Sequence, residues 1–198
     1  MTKLLRHFTS KNLYLGFLHL AVVVLAMEVY ILADQNREFK RFSDSANRER
    51  LVEGDSLSIQ TLMPIDIGSP EISDSRGAIV FIMTTRCPFC KRNMASWKSL
   101  SSVARSNGLV TIGVSLDSLQ MTAAYAKQEG IDFPVYVPRD IGQYVKQNKL
   151  VGVPITVLRD SAGIAQRVWN GLLADSVVSE IVHTITNNKM FIKKGTKP

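Results

Sequence analysis

Two cysteines, Cys87 and Cys90, are the only thiols in this 198-residue chain, and they stand two residues apart in TTRCPFCKRNM, residues 84–94. Such a pair can be half of a zinc site, a structural disulfide or a redox centre. A zinc site needs four ligands. Two of the three histidines, His7 and His19, fall before or within a long apolar run near the N-terminus. Only His183 is left, among apolar residues near the end, where a core or edge histidine is expected. The reading is therefore no metal. A staple gains little, because a two-residue spacer closes a very small loop. Redox chemistry fits the surroundings. A buried strand ends just before Cys87 and a helix starts at it. The sulfur would then meet free N–H groups and the partial positive charge of a helix N-terminus. Pro88 falls in the first turn, where a missing N–H costs little. Arg86 on one side and Lys91 and Arg92 on the other add positive potential. Cys87, its thiolate stabilised by Arg86 and by the helix start at Pro88, is the expected nucleophile. Cys90, one turn inside the helix and less exposed, is placed to resolve the mixed disulfide.

These thiols need a scaffold, and the pattern supplies one. AIVFIM, residues 78–83, is a continuous apolar run of strand length and predicts a buried central strand. Met94, Trp97, Leu100 with Ser101, and Ala104 mark one helix face, closed near Asn107-Gly108. Residues 109–115 predict a second buried strand, 118–129 a helix ended by Gly130, 133–137 a strand and 141–148 a short helix. Residues 155–159 and 164–169 read as strands joined by the turn Asp160-Ser161-Ala162-Gly163. Residues 175–186 form a last helix, with Val177, Val178, Ile181, Val182 and Ile185 on its apolar face. Upstream, SLSIQTL, residues 56–62, alternates like a strand, and residues 63–77 read as loop or short strand. Strand–helix alternation argues for parallel pairing in the first part, with the hairpin adding antiparallel strands at one edge.

The composition, 45% hydrophobic and 21% charged, is that of a globular protein. The net charge of +7 is spread along the chain, without a basic block interleaved with aromatics, so nucleic acid is not an expected partner. Residues 13–33, LYLGFLHLAVVVLAMEVYILA, would span about 31 Å as a helix, enough to cross a bilayer core. His19 and Glu28 interrupt the run on opposite helix faces, and Glu28 lies toward its end. A retained signal-anchor is the reading. Its rival is a cleaved signal peptide, which would be shorter and end in a small-x-small site. Residues 34–53 are charged and lack Pro and Gly, which suits a helical linker. Phe39, Phe42 and Ala46 share one face there, enough for a weak homodimer contact. Residues 188–198 read as a flexible basic tail.

A buried strand, Cys-Pro-Phe-Cys at a helix start and Gly152-Val153-Pro154-Ile155-Thr156 opening a late strand together resemble the thioredoxin fold. That fold is α/β, a central mixed sheet flanked by helices. The resemblance narrows to the membrane-anchored ResA/TlpA-like redoxin group through three stretches. They are EGDSLSIQTLMPIDIG before the central strand, GVSLDSLQMTAAYAKQEGIDFPVYVPRDIGQYVKQNKLVGVP as the inserted strand and helix, and PITVLRDSAGIAQRVWNG after the proline. It covers residues 53–187. It implies a cis-proline at Pro154 facing the cysteines, leaving the backbone of Val153 free to pair with an extended substrate. It implies a Cys87–Cys90 redox disulfide and no cofactor. Three positions depart from the pattern. Arg86 stands where many relatives have Trp. Phe81 stands where thioredoxins place a buried Asp, and Asn93 where ResA-like proteins place a Glu. Neither expected carboxylate is there to take the proton from Cys90.

The resemblance further implies a thiol–disulfide oxidoreductase on the extracytoplasmic, periplasmic side of a cell membrane. Residues 1–12 would be cytoplasmic, 13–33 the single transmembrane span, 34–53 the linker and 54–187 the redox domain. Such enzymes exchange with extracytoplasmic proteins that carry disulfides or thiols, and take electrons from a membrane thiol donor. Their usual task is reduction, often of apocytochromes in cytochrome c maturation, while oxidation is open thermodynamically. Two other functions compete. A peroxiredoxin-like peroxidase would place Thr or Ser three residues before the reactive Cys and Pro seven before; Thr84 meets the first condition and Val80 fails the second. A non-catalytic binding module would leave the pair vestigial.

Overall fold

The computed structural model of the protein describes residues 15–33, 50–66 and 77–187. Two units emerge, one up to Glu49 and one from Arg50 onward. In the first, α1 (Leu15–Ala33) is a helix of 19 residues with mean hydropathy 2.2, long and apolar enough to cross a membrane. Residues 1–14, 34–49, 67–76 and 188–198 lie outside the described residues. The expected N-terminal segment, most of the linker with its Phe39, Phe42 and Ala46 face, and the basic tail fall among them. The last linker residues do not continue a helix. Leu51 is buried in the second unit and its N–H bonds the Lys149 carbonyl.

The second unit is built on one six-stranded sheet. Its strands are β1 (Leu62–Pro64), β2 (Ala78–Met83), β3 (Val110–Ser115), β4 (Val135–Pro138), β5 (Ile155–Arg159) and β6 (Ala165–Asn170). Their order is β1-β4-β3-β2-β5-β6. β2, β3 and β4 pair in parallel, as helix crossovers require, while β1, β5 and β6 join antiparallel. The helices are α2 (Pro88–Ser106), α3 (Leu119–Gln128), α4 (Ile141–Gln147) and α5 (Asp175–Asn187).

β2 lies in the middle and every residue in it is buried. Its side chains alternate between two cores, as strand geometry demands. Ile79, Phe81 and Met83 enter the core under α2, α3 and α5, with Cys90, Trp97, Tyr125 and Ile181. Ala78, Val80 and Ile82 enter the core on the other face, with Leu57, Ile59 and Tyr144. At Gly113 a Cβ would come within 2.9 Å of the Phe133 ring. Glycine there lets that ring reach Phe81, edge-on at 5.2 Å between centroids.

Two expectations are corrected. Of SLSIQTL only Leu62 lies in a strand. Leu57 and Ile59 are buried alternately, as the pattern demands, but the backbone bonds elsewhere: the Leu57 N–H to the Gly163 carbonyl, and the Ser58 N–H to Asn148 Oδ1. Period-two burial here comes from an extended segment held by a turn and a side chain. His183 is exposed rather than a core residue, because α5 turns Ile181 and Ile185 inward and it falls between them.

Candidate active site

Cys87 is the N-cap of α2. Its backbone is extended, and its sulfur accepts the Cys90 N–H at 3.1 Å, as a serine oxygen does at many helix starts. Pro88 occupies the first turn, where no N–H is needed. Thr85 holds the preceding turn, its N–H bonded to the Asp117 carboxylate in the loop after β3. Cys87 is partly exposed and Cys90 fully buried. Both are free thiols. Burial is the main reason the Cys90 thiol is pushed up to about 12, with hydrogen bonding and charge repulsion from Cys87 adding to it. A bond from the Thr84 backbone acts the other way.

Val153, followed by Pro154, comes up to the Cys87 sulfur from the β5 side. Their peptide bond is cis. The Cys87 thiol donates to the Val153 carbonyl at 3.8 Å, and the Val153 N–H has no partner among the described residues. The Pro154 carbonyl accepts from the Gly171 N–H at 2.8 Å, which draws the loop after β6 to the same place. Phe89, Val151 and Leu172, carried on these three segments, are exposed large apolar side chains. Arg86 is exposed beside Cys87 and makes no hydrogen bond or ion pair among the described residues. Arg92 lies over the Phe89 ring at 6.0 Å. The structure thus brings Arg86, Cys87, Pro88, Cys90, Val153 and Pro154 to one end of the sheet, where the β2–α2 and α4–β5 loops meet.

The two positions that lack an acid are filled by packing. Phe81 stacks on Trp97 at 5.1 Å between ring centroids. Asn93 is fully buried and bridges α2 to the loop after β6: its Nδ2 donates to the Gly171 carbonyl at 3.1 Å, and its Oδ1 accepts the Leu173 N–H at 2.9 Å. Sequence reasoning marked Asn93 only as a missing carboxylate. Its place on the buried stripe with Cys90 and Trp97 was the available signal for a brace. Asn93→Ala leaves the buried Leu173 N–H and the part-buried Gly171 carbonyl without these partners, so a loss of about 1–3 kcal/mol in unfolding free energy is expected from denaturant titration. Sequence reasoning also missed an ion pair beside the thiols, Lys91 to Glu129 at 3.0 Å, because its partners are remote in sequence.

The comparisons agree with this geometry. The chain is similar to a thiol-disulfide isomerase from Corynebacterium glutamicum, with TM-score 0.57 and 20% identity, covering 69% of this chain and 98% of that one. It is also similar to the thioredoxin domain of a thiol-disulfide oxidoreductase from Bacteroides vulgatus, with TM-score 0.56, 16% identity and coverage of 69% and 99%. For StoA from Bacillus subtilis the values are 0.53, 17%, and 65% and 98%. At these identities the likeness establishes the fold, which is thioredoxin-like. No curated protein sequence matches the chain significantly. The AhpC/TSA family model matches residues 60–167, a stretch that holds both cysteines, the cis-proline and five of the six strands, and the chain therefore belongs to the AhpC/TSA family as a redoxin of thioredoxin-like fold.

Proposed function

We propose that the chain is a membrane-tethered thiol–disulfide oxidoreductase whose redox domain, residues 54–187, works on the extracytoplasmic side. The observation that carries this is the pairing of a partly exposed Cys87 at a helix N-cap with a fully buried Cys90 one turn inside, the Cys87 thiol lying against the carbonyl of Val153, whose peptide bond to Pro154 is cis. Cys87 attacks a substrate disulfide or is itself attacked, and Cys90 closes the Cys87–Cys90 disulfide and releases the substrate. The Val153 N–H, without a partner among the described residues, offers an extended substrate one backbone bond, and Phe89, Val151 and Leu172 offer apolar contact. The named activities of the structural relatives, isomerase and oxidoreductase, support the same reading. Residues 13–33, of which Leu15–Ala33 is helical and apolar, serve as the anchor. Absence of further cysteines suits an oxidising compartment, since nothing else can mispair. The preferred direction is reduction of protein disulfides, as in cytochrome c maturation, with electrons from a membrane thiol donor.

Acid trapping of thiols in intact cells tests the direction. Mostly reduced Cys87 and Cys90 at steady state is the expected result; a mostly oxidised pair would make the chain an oxidase. The purified full chain in detergent, given a peptide disulfide or hydrogen peroxide, should consume the first and not the second. Rapid peroxide turnover would instead establish the peroxidase reading.

A further inference from the structure

A partner's sulfur must reach Cys87, and the charges around Cys87 bear on which partner that is. Arg86, the residue before it, is exposed and makes no hydrogen bond or ion pair among the described residues. Arg92, in the second turn of the helix that Cys87 caps, is also exposed and has no ion pair among the described residues. Its guanidinium lies 6.0 Å from the centre of the exposed Phe89 ring, three residues back on the same helix face. The acids on the segments that meet at this end of the sheet are engaged. Asp117 accepts the Thr85 N–H, Glu129 pairs with Lys91 at 3.0 Å, and Asp175 stands in the first turn of α5, where its charge suits the helix N–H groups. The loops 148–154 and 171–174 hold no acid, and their one cation, Lys149, is tied to Asp55 at 2.6 Å. Two uncompensated guanidinium groups therefore flank the entry to Cys87, next to the exposed apolar side chains of Phe89, Val151 and Leu172.

We propose that Arg86 and Arg92 select the partner by charge: the chain exchanges with extended protein segments that carry Asp or Glu within about two residues of the reactive cysteine. This rests on the exchange reading above and names its substrate class. Two residues of extended chain span roughly 7 Å, so such a carboxylate stays within reach of a long side chain that starts beside Cys87. A guanidinium presents a planar fork that matches a carboxylate, and the Phe89 ring gives that of Arg92 a surface to lie on. Each exposed pair stabilises the complex only slightly, but opposite charge raises the rate of encounter, and a segment rich in Lys would meet two like charges. An anionic lipid surface offers the same charge. It fits less well, because a membrane that engaged both arginines would also cover the thiol between them.

The test uses the full-length chain in uncharged detergent and two fluorogenic peptide disulfides that differ only in the residues flanking the cysteine, Glu in one and Lys in the other. At low ionic strength the native chain should show a kcat/KM about tenfold higher for the Glu peptide. In about 1 M salt, where charges are screened beyond about 3 Å, the gap should shrink to about twofold or less. Arg86→Glu should reverse the order of the peptides, and Arg92→Gln should narrow the gap by about threefold. Both side chains are exposed, so the variants should keep the fold. The ratio between the peptides is the readout, because any effect of Arg86 on the thiol itself is common to both. Equal native rates, or a ratio that Arg86→Glu leaves unchanged, would overturn the selection and leave the exchange reading standing. Equal rates together with inhibition by phosphatidylserine vesicles, relieved in Arg86→Glu, would assign the arginines to a membrane surface instead. A native chain that releases no thiol from either peptide would overturn the exchange reading itself.

Discussion

Cys90→Ala should accumulate the chain as mixed disulfides with its natural partners, and Cys87→Ser should accumulate none. In both variants steady-state disulfide exchange should fall by about three orders of magnitude or more, as expected of two thiols that act as one unit. The asymmetry follows from where the sulfurs sit. Cys87 is partly exposed at the N-cap, so a partner's sulfur can reach it; Cys90 is fully buried and none can. Without Cys90 the first exchange still occurs and the second has no attacker. Alkylation of the intact dithiol should show the same asymmetry as a function of pH. The Cys90 thiol is raised from its ordinary 9.0 to about 12. At pH 7 only about one Cys90 in 10⁵ is therefore thiolate, and only the thiolate is alkylated. Iodoacetamide should modify Cys87 at neutral pH and leave Cys90 until the medium is strongly alkaline. The same shift links to stability. The folded thiol keeps its proton to about 12 and the unfolded one only to about 9.0, so the stabilising contribution is complete below pH 9.0 and is lost as the pH rises toward 12. Mixed disulfides that form equally with Cys87→Ser, or neutral-pH labelling of Cys90 ahead of Cys87, would overturn the assignment of roles.

What the residues made legible was whatever is encoded locally. β2 is a run of six apolar residues, and it lies where that run lies, because a strand covered on both faces has no polar side to show. α2 announces its start by Pro88 and its end by Asn107-Gly108, and its buried stripe follows the helical repeat. The cysteine pair could be placed at a helix start for the same reason. SLSIQTL misled because alternation reports burial and not pairing. Leu57 and Ile59 are buried, yet the Ser58 N–H bonds Asn148, ninety residues away, a contact no local pattern announces. Asn93 and the Lys91–Glu129 pair were hidden for a related reason. Each depends on a partner from another element: the loop at Gly171–Leu173 for Asn93, and α3 for Lys91. The resemblance to relatives implies an acid at two places, Phe81 and Asn93, where this chain has none. The fold packs both positions shut: Phe81 stacks on Trp97 and Asn93 bonds the loop after β6.

Trp97→Ala is expected to be among the most destabilising single changes in the second unit. Trp97 is fully buried on α2, two turns after Cys90. It stacks on Phe81 of β2, with ring planes 18° apart, and its indole N–H donates to the Thr156 hydroxyl of β5 at 2.9 Å. One side chain thus ties the thiol-bearing helix to the central strand and to the strand that begins just after cis-Pro154. Truncating such a residue costs about 3–5 kcal/mol in lost transfer free energy and cavity, and leaves a buried hydroxyl unpaired. Against a total of about 5–15 kcal/mol, that removes a third or more of the stability. Melting followed through Trp169 should fall by about 10–20 °C. Trp97→Phe separates the contributions: it keeps most of the aromatic packing and loses the bond to Thr156, so about 1–2 kcal/mol is expected. A double-mutant cycle of Trp97→Leu with Phe81→Leu should leave a coupling of about 0.5–1.5 kcal/mol, the stacking contribution beyond area. The functional consequence is testable on the folded fraction. With the tie gone, the first turn of α2 and the Pro154 loop are free to shift relative to each other, and thiol exchange should slow even where the variant remains folded. A Trp97→Ala chain within about 1 kcal/mol of the native one would show that α2 is held by α5 and the Asn93 brace instead.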